Sequence, residues 1–190
     1  MKILKFLIIF FLISCFKDTA KTFEIRNLAS INNKTITNID LYQEIKVREL
    51  LDNVKINKND HGFILEQMIG EKIKQIESEI NGVKISNEII NRQFNSLKKN
   101  KLNDKKLSKI LEKSIILKIE TTYKWNKLIG LKYNSKLAIN IDEINEIMKS
   151  KEISEDKRDQ LVNIEKKKKL NTFSKTHFNK IKKKYLVKKY

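Results

Sequence analysis

The chain has 190 residues, with 41 Lys+Arg against 23 Asp+Glu for a net charge of +18, and 40% of its residues are hydrophobic. That apolar fraction is too high for a wholly disordered chain and too low for a polytopic membrane protein, and the length allows one domain with a sizeable core. Zero prolines and four glycines (Gly62, Gly70, Gly82, Gly130) argue against an all-β fold built on tight turns and against a Gly-rich phosphate loop. A single cysteine excludes an internal disulfide and a Cys-clustered metal site.

The chain opens MKILKFLIIFFLISC, in which Lys2 and Lys5 border an unbroken apolar run, Phe6–Ile13. This run is shorter than the ~20 residues a membrane-spanning helix takes and fits the apolar region of a signal peptide. It closes on Leu12-Ile13-Ser14-Cys15, which resembles the bacterial lipobox: a branched apolar residue three before cysteine, a small residue directly before it, then cysteine. The resemblance implies a signal peptide over 1–14, diacylation of Cys15 and a short linker over 15–22. An exported, periplasmic protein held at a membrane through Cys15 is expected.

Phe23, Ile25, Leu28 and Ile31 predict a short strand, Asn32-Asn33-Lys34 a turn, and Thr35-Ile36 a returning strand. Thr37-x-x-Asp40 is an acidic capping box that starts a helix near Ile39, with Leu41, Ile45, Leu50, Leu51 and Val54 as its apolar stripe. Asp60 is positioned to cap a second helix carrying Phe63, Leu65, Met68, Ile69, Ile73, Ile76 and Ile80, which Asn81-Gly82 ends. Ser86 opens a third, with Ile89, Ile90, Phe94 and Leu97, before a polar connector at Lys98–Lys101. Asn103 caps the next, with Leu107, Ile110 and Leu111, and a break near Ser114 separates it from a helix over Ile116–Leu131. Asn140-x-x-Glu143 starts a short helix, and Ser154 precedes a long one bearing Leu161, Ile164, Leu170, Phe173, His177, Phe178 and Ile181. Tyr185–Tyr190 favours an extended end. The fold class is therefore mainly α, with a small β-hairpin and a C-terminal helix and strand packing back on it.

The charge is uneven. Residues 157–190 hold thirteen Lys+Arg and two acids, with dense runs at Lys166–Lys169 and Lys182–Lys184, so the tail carries most of the basicity. Such a tail attracts anionic partners, or forms a solvated helix face in a Lys-rich chain.

Several segments share a further likeness. Ile31–Thr37 with Asp40-Leu41, Ile64–Ile73, Gly82–Glu88, Lys101–Leu131 and Ile141–Ile144 follow one another as the strand–turn–helix and helix elements of the SurA-type periplasmic chaperones do. Residues 23–153 resemble the N-terminal domain of that family, and 154–190 resemble its separate C-terminal helix and strand. Family members insert parvulin-type proline isomerase domains between these parts, and nothing here resembles one. The resemblance implies ATP-independent chaperone activity toward unfolded envelope and outer-membrane polypeptides, without proline isomerisation.

No catalytic residues are assigned. His61 and His177 lack partners at metal-ligand spacing, no zinc or nucleophile motif is present, and Glu77 and Glu79 read as a helix-surface pair. No cofactor, no metal and no nucleic-acid partner is expected. The peptide-binding candidates are Leu65, Met68, Phe94, Tyr123, Trp125, Phe173 and Phe178, because Met and aromatic side chains adapt to varied partners. The rival readings are a proline isomerase or isomerase-associated factor, a basic cytosolic nucleic-acid-binding protein, and a structural envelope lipoprotein.

Overall fold

The computed structural model describes residues 24–102 and 107–190. The expected signal peptide, Cys15, the linker over 15–22, Phe23 and the Asn103 cap lie outside the described residues. Strands β1 (Asn27–Ile31) and β2 (Lys34–Thr37) form an antiparallel hairpin, turned by Asn32 at φ 52°. Asparagine tolerates this left-handed conformation, which most side chains resist. Thr37 ends β2 and caps α1 (Asn38–Asp52): its hydroxyl accepts from the Asp40 amide at 3.2 Å, and the Asp40 carboxylate accepts from the Thr37 amide at 2.7 Å.

Helix α2 (His61–Ile80) ends at Gly82, whose φ of 62° would strain a β-carbon. Helices α3 (Asn87–Lys101), α4 (Lys109–Lys132), α5 (Ile141–Ser150) and α6 (Arg158–Ile181) follow, and the chain closes on β3 (Val187–Lys189). The strand pairs antiparallel with β1, giving the sheet order β2-β1-β3. Asn32 holds this closure as well as the hairpin, since its amide donates to the Leu186 carbonyl at 2.9 Å and its Oδ1 accepts from the Leu186 amide at 3.0 Å.

Helix α2 runs under the sheet, against β1, α1 and α4. The main core joins Ala29, Ile31 and Ile36 of the sheet to Ile69 and Ile73 of α2, Trp125, Leu128 and Ile129 of α4, and Ile181 at the end of α6. A second cluster sets Val47 of α1 against Ile90, Phe94, Leu102, Ile115 and Ile119. The third, smaller one places Ile144 and Met148 of α5 on Leu161 of α6. The molecule is thus mainly helical with a small antiparallel sheet, as the apolar spacing predicts.

Several local expectations are corrected. The Lys98–Lys101 connector is the last turn of α3, because lysine is a good helix former, lysines complement the helix C-terminus, and Leu102 is anchored in the core. No break occurs at Ser114, whose hydroxyl donates to the Ile110 carbonyl at 3.0 Å inside a continuous α4. Its cap is Ser108, which accepts from the Leu111 amide. Asp60 makes no capping bond, since a 3-10 turn (Lys58–Asp60) leads into α2. Ser86 starts α3 by position without a side-chain cap, and Asn140 caps α5 through the Asp142 amide rather than pairing with Glu143. Strand β1 starts at Asn27, leaving Ile25 exposed. Phe63, Ile80, Ile89, Val54 and Ile164 face outward, whereas Val47, absent from the predicted stripe, is buried.

Candidate functional site

Two depressions flank α2, one beside each outer strand. The first lies beside β2 and is walled by α1, α2 and α4, with a volume of about 190 Å³. Thr35 and Ile36 come from β2, Gln43 and Glu44 from α1, Met68, Glu71 and Gln75 from α2, and Leu117, Lys118 and Thr121 from α4. Glu44, Glu71 and Lys118 satisfy one another, whereas Asp40 accepts from Thr37 and the Lys72 ammonium donates to Gln75. The Glu44 carboxylate accepts from Arg48 Nε and from Lys118 Nζ, each at 2.5 Å, and Lys118 lies 3.5 Å from Glu71. The Arg48 guanidinium also donates to Gln67 Oε1, tying α1 to α2.

Beside these polar groups the cleft offers an apolar seat. Half-buried Met68 lines it, and Leu117 stands 44% exposed on its wall. On the same face of α4, two turns earlier, Ile110 is also exposed. Small-molecule sites usually enclose about 300–1,000 Å³, so this cleft is sized for side chains of a larger partner. Beside it runs the outer edge of β2, an outer strand of the sheet.

The seven sequence-predicted residues do not share this cleft. Leu65, Met68, Trp125, Phe173 and Phe178 belong to the main cluster, and Phe94 and Tyr123 to the second. Trp125 and Phe94 are buried. The Trp125 indole N–H donates to Ser174 Oγ at 2.7 Å, and Phe173 stacks on Tyr133. Tyr123 donates its hydroxyl to Gln93 Oε1 at 3.0 Å. Only Met68 reaches the β2 cleft, and Phe178 borders the second depression, beside β3. Gln43, Glu71, Gln75 and Leu117 escaped sequence reasoning. Leu117 carries no signal of its own in a helix with apolar residues on several sides.

A polar cluster closes the C-terminal end of the core. Tyr185 donates its hydroxyl to Glu77 Oε2 at 2.7 Å, and burial together with that bond pushes its ionisation well above the ordinary phenol range. His177 is buried beside Tyr133, with 3.1 Å between its Nδ1 and the phenol oxygen, while its Nε2 has no partner. Burial lowers its pKa first, the Lys132 ammonium next, then Lys184 and Lys180, with Glu77 opposing.

The neutral ring is therefore favoured in the folded state. Below the ordinary value of 6.5 the unfolded chain takes up a proton that the folded chain refuses. Stability contributed by this group is complete above pH 6.5 and falls as the pH drops from there toward the depressed folded value. The expected slope is no steeper than ~1.4 kcal/mol per pH unit, that of a single proton. Melting curves between about pH 6.5 and 5, above most carboxylate titration, should show this loss in the native chain and a flatter profile in His177→Gln. An equal slope in both would assign it to other groups.

Among the described residues no three His, Cys, Asp or Glu side chains are grouped to hold a metal ion, and no helix is long and apolar enough to cross a membrane. Comparison with models of known protein families and with curated proteins finds no match to this sequence.

Proposed function

We propose that this protein is an ATP-independent holdase of the cell envelope, anchored through Cys15, that binds extended segments of unfolded polypeptide. The observation that carries this reading is the β2 cleft: an apolar seat formed by Met68 and Leu117, beside the ion-paired Glu44 and Lys118 and an outer strand. An unfolded chain has unpaired backbone groups and scattered apolar side chains, and a strand edge beside an apolar seat serves both. The closure of β3 onto β1 supports the same reading, because the SurA-type resemblance implied a C-terminal helix and strand packing back on the N-terminal domain. Proline isomerisation is not part of the proposal.

The test is suppression of aggregation of a diluted, denatured outer-membrane protein, without nucleotide. The native chain should suppress it at near-equimolar ratio and should not accelerate proline isomerisation in a model peptide. Leu117→Glu places a charge on an exposed seat with little effect on folding. Burying a leucine side chain contributes about 1.5–3 kcal/mol, so the variant should need about tenfold more protein for equal suppression. Cys15→Ser should shift the protein from the membrane to the soluble fraction. Native protein that leaves aggregation unchanged would sink the holdase reading, and a fully active Leu117→Glu would remove the cleft from it.

A further inference from the structure

The second depression, about 810 Å³, lies between α2 and β3. Its floor is the Phe178 ring laid across Gly70, where a β-carbon would come within 3.4 Å of the ring. Ile69, Ile73 and Val187 add apolar surface, and Lys74 sits 5.4 Å from the Phe178 ring centre. Along α2, Phe63, Gln67, Gly70 and Lys74 fall on one stripe at helical spacing, and Phe63 is 65% exposed at its far end. At 1.5 Å per residue that stripe is roughly 16 Å long, the length of about five residues of strand.

One wall of the groove is a strand edge. In β3 the Leu186 carbonyl and the Tyr190 amide bond to the β1 side. Antiparallel pairing alternates, so the N–H and C=O groups of Val187 and Lys189 point away from β1, along the outer edge of the sheet. Val187 and Lys189 also line the groove.

The charge here is one-sided. Glu66 is paired with Lys189, and Glu71 with Lys118. No ion pair to a described residue engages Lys182, Lys183, Lys184 or Lys188. A second copy of this chain is a poor occupant, because pairing two β3 edges would set lysines against lysines, which is repulsive. Lysines on an edge strand discourage such self-pairing.

We propose that this groove and the β3 edge bind an extended, acidic polypeptide segment of about five residues as a fourth strand. Its backbone pairs with Val187 and Lys189, its apolar side chains cover Phe178 and Val187 on the groove face, and its alternate carboxylates meet Lys188 on the opposite face. This site is separate from the β2 cleft and stands or falls without the holdase reading.

The test uses two fluorescently labelled peptides, one alternating Val and Glu and the other Val and Lys, titrated against the full chain by anisotropy. The acidic peptide should bind at least about tenfold more tightly, and the preference should shrink when salt compresses the screening length from ~10 Å to ~3 Å. Lys189→Pro removes an outward N–H that β1 does not use, and proline is tolerated on edge strands; it should cost about tenfold in affinity with the melt unchanged. Lys188→Glu, exposed on the face of β3 away from the core, should abolish the preference for acid and covers the case in which the proline variant misfolds. Equal affinity for both peptides, unchanged binding by a folded Lys189→Pro, or an unchanged preference in Lys188→Glu would each overturn the proposal. Aggregation suppression measured on the same variants separates this result from the holdase reading.

Discussion

Deleting residues 157–190 should leave a chain that no longer folds cooperatively. The deletion removes α6 and β3, and with them the buried side chains of Leu161, His177 and Ile181. Leu170, Phe173, Phe178, Tyr185 and Val187, which pack on the main core, go with them. Each fully buried apolar side chain contributes ~1.5–3 kcal/mol, whereas whole domains are stable by only ~5–15 kcal/mol. The loss also bares Trp125, which packs on His177 and Phe178, and leaves β1 without one of its two neighbours. Circular dichroism on heating should show reduced helicity and no sharp transition, together with aggregation. Removing 186–190 alone takes away β3 and the Asn32–Leu186 bonds but keeps α6, so it should lower the melting temperature while leaving a cooperative transition. A truncated 1–156 chain melting near the full-length temperature would show that the basic tail is a separate appendage.

Trp125→Ala should be the most damaging single substitution in the core. The side chain is 3% exposed, lies edge-on to Phe178 with ring centres 6.4 Å apart, and sits 5.6 Å from the His177 ring. Emptying such a site costs about 3–5 kcal/mol through lost contacts and the cavity left behind. For a chain of this size that corresponds to a drop of roughly 6–20 °C in Tm. Trp125→Phe separates packing from polarity: it fills most of the space but strands the Ser174 hydroxyl that accepts the indole N–H. It should retain most of the stability and lose about 1–3 kcal/mol. Denaturant titration of the two variants checks the order. If alanine costs no more than phenylalanine, Trp125 does not join α4 to α6 as the structure implies.

Legibility of the fold followed distance along the chain. The Asn32 turn, the Thr37/Asp40 box and the Asn81-Gly82 stop each depend on backbone and side chains a few residues apart, and each is found where the sequence places it. Errors came where a local signal was weak or competed with packing. Lys98–Lys101 looks like a polar connector, but Leu102 beyond it is 1% exposed and carries the helix to its end. Phe63 and Ile80 look like core by hydrophobicity, yet among the described residues no facing element covers them.

The sequence by itself determined that the chain is mainly helical, where its hairpin turns, where α1 begins and where α2 ends, because capping and left-handed turns are set by neighbouring residues. The return of the C-terminal strand is expected from the sequence, but only the tertiary structure decided that it pairs with β1 in this register, through an asparagine 154 residues from Leu186, and that Val47 rather than Val54 is buried. It also decided the candidate site. The β2 cleft needs Gln43, Met68 and Leu117 from three helices beside Thr35 of a strand, and no spacing within one segment encodes their meeting. Amphipathic periodicity marks a face as apolar, but the neighbouring element decides whether that face is core, groove wall or open surface.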